Sequence, residues 1–185
     1  MDHSKKLYFL AVMPSGPLQE EVRDLKLIFR DKFGSGHALN SPAHLTLIPP
    51  FFWPLQRTDD LIRSLDRFSI PETPFEVELS RFGAFPPRVI YIDVHENLHL
   101  EQLQERLKNY LDDQWKISAL LRGHKPFNPH MTIAFRDLSR ANFHKAWTEF
   151  KNKSFNEVFI VDKIVLLNHH QKNWEVYHQA YFGKN

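Results

Sequence analysis

His44-Leu45-Thr46-Leu47 and His130-Met131-Thr132-Ile133 are two copies of one tetrapeptide, His-x-Thr-x with apolar x, about half a chain length apart. Successive side chains of an extended strand point to opposite faces. His and Thr of each copy therefore share one face, and the two apolar residues share the other. The apolar pair asks for a core, which leaves the imidazole and the hydroxyl on an accessible surface. One such tetrapeptide arises by chance in roughly one chain in twenty of this composition, and two in about one in a thousand. The repeat therefore points to a duplicated unit whose two motif strands face each other across one cleft.

The elements around the motifs repeat as well. Leu7–Val12 reads as a short apolar strand, and Pro17 can open a helix in which Val22, Leu25, Ile28 and Phe29 recur at helical spacing up to Gly34-Ser35-Gly36. The first motif strand follows and is expected to stop at Pro49-Pro50. Thr58 is placed to cap a helix carrying Leu61, Ile62, Leu65 and Phe68, and Phe75, Val77 and Leu79 alternate as in a half-buried strand. The order then recurs. Arg88–Val94 is a strand, and Asn97 caps a helix with Leu100, Leu103, Leu107 and Leu111 on one stripe. Phe127–Phe135 carries the second motif, and Ser139 caps a helix. Val158–Leu167 reads as one long strand with Trp174–Phe182 as its hairpin partner. The expectation is one domain over 1–185 with two lobes, 1–84 and 85–185, joined through Phe82–Pro87.

Composition narrows the class. The 185 residues include 16 Phe and 4 Trp but no Cys, enough apolar bulk for a core without disulfides, and no means for thiolate catalysis or Cys-ligated zinc. No apolar stretch reaches the roughly 18 residues needed to span a bilayer, and no signal peptide is visible, so a cytoplasmic protein is expected. Net charge is +2, far from the basic excess of a nonspecific nucleic-acid binder, yet it permits a small anionic ligand or an RNA end.

Two imidazoles and two hydroxyls around a cleft suit a phosphodiester. Attack by water requires one group to take a proton and another to give one. A neutral imidazole beside an imidazolium does both near neutral pH. His44 and His130 are the candidate catalytic residues. Thr46 and Thr132 are the candidate phosphate donors, with Arg136 and Lys125 as further candidate phosphate-binding cations, and no metal is required if these donors balance the charge. Either histidine can be base or acid. The same pair run in reverse would join ends.

The two motifs with their spacing, the segment Arg88-Val89-Ile90-Tyr91-Ile92-Asp93-Val94, and Phe127-Asn128-Pro129-His130-Met131-Thr132-Ile133-Ala134 together resemble the 2H phosphoesterases. That group includes the bacterial RNA 2′,3′-cyclic phosphodiesterases, also called 2′-5′ RNA ligases. The resemblance implies an α+β fold of two lobes related by a pseudo-two-fold, each with a mainly antiparallel sheet and flanking helices, and a cleft holding both motifs. It further implies metal-independent chemistry without a cofactor on cyclic or 2′-5′ phosphodiesters of RNA ends or nucleotides, in a monomer without an obligate protein partner. Many relatives place Arg directly after the Ala of the second motif. Here Phe135 intervenes, and a regular strand would return Arg136 to the face of His130 and Thr132.

Competing signals are few. His95-Glu96-Asn97-Leu98-His99 matches the zinc-hydrolase pattern His-Glu-x-x-His, but Asn97 as a helix cap would split the two histidines across a strand-to-helix turn. His169-His170 falls in a polar hairpin turn, and Arg122-Gly123-His124-Lys125 forms a small basic loop ahead of the second motif. A binding module that recognises nucleotides or RNA ends without turnover is the main alternative to the enzyme.

Overall fold

The computed structural model describes residues 4–121 and 126–184; Lys125 and its basic loop lie outside them. The elements run β1 (Lys5–Val12), α1 (Pro17–Phe33), β2 (Leu45–Pro54), α2 (Thr58–Ser69), β3 (Phe75–Phe85), β4 (Val89–Val94), α3 (Leu98–Trp115), β5 (His130–Ala134), α4 (Arg140–Phe150), β6 (Asn156–Val161), β7 (Lys163–His170) and β8 (Asn173–Tyr181). The strands form two four-stranded antiparallel sheets, ordered β2-β1-β7-β8 and β5-β4-β3-β6. Each sheet carries one motif strand at its edge, so the α+β, two-lobed architecture expected from the repeat is present.

The lobes do not follow the halves of the chain. β3 belongs to the second sheet, while β7 and β8 return to complete the first. The chain crosses between sheets after α2 and again at Asp162, which splits the expected long strand into β6 and β7. The segment 82–87 is no linker: it closes a hairpin in which Phe85 pairs with Val89. The helices interlock the lobes further. α1 follows a strand of the first sheet but packs on α4 through Phe29 and Phe150, which in turn meets Phe82 of the second sheet. α3 follows the second sheet but meets α2 and β2, with Phe68 against Tyr110 and Trp53 against Trp115.

Local sequence explains most boundaries. Pro17 starts α1, and Gly34 ends it with φ 66°, its N–H bonding the Arg30 carbonyl at 3.0 Å. Asn97 and Ser139 cap α3 and α4 by accepting from Leu100 and Asn142 N–H groups. The buried stripe of α1 is Leu18, Val22, Lys26, Phe29 and Phe33, whereas Ile28 is 39% exposed. Thr58 is not a cap: it lies inside α2, buried, with its hydroxyl 3.4 Å from that of Tyr8.

Pro49-Pro50 does not end the motif strand. β2 continues to Pro54 because it is an edge strand and bulges there: Ile48 pairs with Leu10 and Phe51 with Tyr8, so both prolines face the single residue Phe9. An edge strand at a bulge can spare the N–H groups proline lacks. The second motif strand is shorter than expected, since 126–129 lie outside the strand.

Candidate active site

Alternation along both motifs is as the period of two requires. Leu45, Leu47, Met131 and Ile133 are buried in one continuous core, while His44, Thr46, His130 and Thr132 are part-exposed. β2 and β5 approach with Cα atoms within 8 Å of each other, and the charges of the two imidazoles interact. The structure thus brings the two motif strands together, with the His and Thr of each on the part-exposed face.

Both histidines are held in the same way. His44 Nδ1 lies 2.8 Å from the Pro42 carbonyl, and His130 Nδ1 lies 2.7 Å from the Asn128 carbonyl. A carbonyl only accepts, so Nδ1 carries the proton in each ring and Nε2 keeps its lone pair in the neutral form. The contact spans two residues in both cases, a local turn repeated with the motif. Among the described residues, no side-chain hydrogen bond engages the hydroxyl of Thr46 or Thr132.

The approach to His44 is fixed from α1. Gln19 grips Ala43 at both backbone groups: Nε2 donates to the carbonyl at 2.7 Å, and Oε1 accepts from the N–H at 2.9 Å. Lys26 Nζ donates to the Ser41 carbonyl at 2.9 Å. Asp137, just past β5, accepts from Ser35 Oγ and from the N–H groups of Gly36 and His37, tying the stretch before His44 to the turn after the second motif.

The two imidazoles have different surroundings. Burial is the main cause that pushes His44 from 6.5 down to about 4; the Pro42 bond opposes it, and the cations of Lys26 and His130 add to it. Burial also lowers His130, but there the Asn128 carbonyl and the Asp93 carboxylate pull upward. Asp93 pairs with His130 across the β4–β5 ladder. The first sheet, with its register continued by one residue, sets Met13 opposite His44 instead. A proton shared by the pair therefore favours His130.

The walls differ too. Around His44 the floor is apolar, with Phe9, Ala11, Val165 and Leu167 buried apart from the main core and Phe9 4.8 Å from the His44 ring. His130 meets Phe85 at 5.0 Å and Tyr91 at 5.1 Å. Gly83 makes room for Tyr91: a Cβ there would lie 2.3 Å from its ring.

Arg136 departs from the expectation. β5 ends at Ala134, and Arg136 takes φ 56°, turning off the strand. Its guanidinium lies 5.3 Å from the Phe135 ring and 3.4 Å from His37 Nε2. The extra Phe135, packed edge-on against His37 at 5.0 Å, accompanies the turn. His95 precedes α3 and His99 lies within it, stacked on Phe75, with Asn97 capping between them. Among the described residues, no group of three or more His, Cys, Asp or Glu is placed to hold a metal ion, and no helix is long and apolar enough to cross a membrane.

Gln19, Lys26, Asp93 and Asp137 escaped sequence reasoning. Two of them left a signal. Lys26 interrupts an apolar helical stripe, and Asp93 shares a face with Tyr91 on a strand otherwise apolar. Gln19 and Asp137 act only through tertiary contacts.

Known proteins share this fold, and others are similar in sequence. The structure of TT0787 from Thermus thermophilus superposes with a TM-score of 0.71 at 21% identity, covering 96% of this chain and 98% of that one. The Escherichia coli LigT complexed with 3′-AMP gives 0.67 at 20% identity, covering 97% and 99%. In sequence, the “Putative phosphoesterase” of Geobacillus sp. (strain WCH70) is 28% identical over 181 residues, 95% of this chain and 96% of that protein. The family model of the 2′-5′ RNA ligase superfamily matches residues 14–173, and the chain belongs to that superfamily, the 2H phosphoesterases.

Proposed function

We propose that the protein is a metal-independent phosphodiesterase acting on 2′,3′-cyclic phosphates or 2′-5′ phosphodiesters of RNA ends or nucleotides. The observation that carries the reading is the repeated Nδ1 clamp, which turns two Nε2 atoms free beside two uncommitted threonine hydroxyls. One imidazole removes a proton from water as its oxygen bonds to phosphorus. The P–O bond to one ribose oxygen breaks, and the other imidazole, as imidazolium, returns a proton to that oxygen. The product is a phosphate monoester. Thr46 and Thr132 donate to the nonbridging oxygens, where negative charge builds. With a 5′-hydroxyl of a second RNA in place of water, the same steps form a 2′-5′ linkage.

Support also comes from relatives: LigT has been crystallised with 3′-AMP and with phosphate. Lys125 and Arg136 remain phosphate-binding candidates in this reading. The test is turnover of a nucleoside 2′,3′-cyclic phosphate and of a 2′-5′ dinucleotide in excess EDTA. Formation of a monoester or free ends is expected. Binding of both without turnover would overturn the enzyme in favour of a recognition module, and activity only with added zinc would overturn the metal-free mechanism.

A further inference from the structure

β2 and β5 are edge strands of different sheets, so the placement of His44 against His130 falls to contacts other than a shared ladder. One such contact crosses from the second motif to the first. Asp137, just past β5, accepts from Ser35 Oγ at 2.8 Å through one carboxylate oxygen. Through the other it accepts from the N–H groups of Gly36 at 2.9 Å and His37 at 2.8 Å. A charged acceptor strengthens each of these bonds. The turn that carries Asp137 is itself set: Arg136 has φ 56°, and the Asp137 N–H donates to the Phe135 carbonyl at 2.7 Å. Phe135 packs edge-on against His37 at 5.0 Å, so an aromatic contact backs the carboxylate.

The held segment leads straight to the catalytic candidate. Asn142 of α4 donates to the Phe33 carbonyl at 2.9 Å, fixing the chain just before Ser35. From His37 a short helical turn, His37–Asn40, runs to Ser41 and Ala43, which Lys26 and Gln19 hold from α1, and then to His44. The approach to His44 is thus anchored at its start by Asp137 and at its end by α1. Asp137 is exposed and buries little apolar surface, so its contribution is to orientation rather than to the core. We infer that Asp137 is a positioning residue of the two-histidine site, registering the His44 approach against the turn that ends the second motif. It touches no reacting atom. The role rests on the phosphodiesterase reading for the reaction it serves, and one arm of its test needs no turnover.

The first arm is steady-state hydrolysis of a nucleoside 2′,3′-cyclic phosphate. Asp137→Ala should lower kcat by about ten- to a hundredfold and change KM by less than about threefold, because misplacing one catalytic group is costly. Asp137→Asn can still accept the two N–H groups through Oδ1 and donate to Ser35 Oγ, so it should recover to within about fivefold of wild type. Lys32→Ala removes the exposed 3.2 Å pair with Glu149 between α1 and α4 and should leave kcat unchanged. The second arm reads the His44 ring by ¹⁵N NMR. Neutral wild-type His44 should hold the Nδ1–H form that the Pro42 carbonyl selects, Asp137→Ala should show a mixture of tautomers, and Asp137→Asn should restore one. A kcat near wild type in Asp137→Ala would overturn the role and keep the enzyme. So would a rise in KM alone, or an equal fall of kcat in Lys32→Ala, which would make the effect one of helix docking. If wild type turns over no cyclic phosphate, the phosphodiesterase reading falls and the NMR arm decides alone. A mixture in Asp137→Ala then upholds the positioning of His44, and a single tautomer overturns it.

Discussion

Asp93 stands directly across the β4–β5 ladder from His130, and no carboxylate occupies the matching place beside His44. The pseudo-symmetric motifs are thus electrostatically unlike. Asp93→Asn should lower the titration point of His130 without moving that of His44 by a comparable amount, read from histidine ring resonances by NMR. In wild type, His130 should titrate above His44. The reverse order would remove the asymmetry.

His44 also links stability to acidity. Its folded pKa, about 4, lies below the unfolded value near 6.5, so between these pH values the unfolded chain binds the proton and the folded one resists it. The contribution is fully present above pH 6.5 and is lost as pH falls toward 4, amounting to roughly 2–3 kcal/mol. Denaturant unfolding at pH 7.5 and pH 4.5 should show a larger loss in wild type than in His44→Ala. An equal loss in both would mean that the ring is not buried as neutral imidazole.

Gln19 touches no reacting atom in this account but holds both backbone groups of Ala43. As a positioning residue it should matter through kcat. Gln19→Ala should cut turnover by about ten- to a hundredfold with little change in KM, because a small misplacement of the catalytic group is expensive. Gln19→Glu, which keeps an acceptor for the Ala43 N–H, should recover part of the rate. A purely structural role would instead lower stability and leave turnover of the folded fraction intact.

Thr46 and Thr132 should act as donors to the developing charge. Replacing either by Ala should cost about ten- to a thousandfold in kcat/KM. Replacing either by Ser should cost much less, since the hydroxyl remains. Cyclic-phosphate hydrolysis by each pair of variants decides this.

The cleft was legible in the sequence because a strand has a period of two: His-x-Thr-x by itself sorts four side chains to a wet face and four to the core. Helix caps at Asn97 and Ser139 were legible for an equally local reason. Sheet membership was not. Nothing in residues 156–170 marks Asp162 as the point where the chain leaves one sheet for the other, since both flanking runs are apolar and strand-like. Pro49-Pro50 looked like a stop because proline's missing donor counts against a central strand, and only the edge position of β2 makes it tolerable. The segment 82–87 resembled a linker in composition, but its register with β4 comes from pairing partners outside it. Arg136 could not be placed from its spacing, because the left-handed turn at this residue resets the alternation.

The most direct measurement is kcat/KM for a nucleoside 2′,3′-cyclic phosphate in wild type, His44→Ala and His130→Ala, each checked for native folding by circular dichroism. The two-histidine account predicts a loss of about 10² to 10⁴ in each variant. A folded variant of either kind that kept a rate near wild type would contradict it.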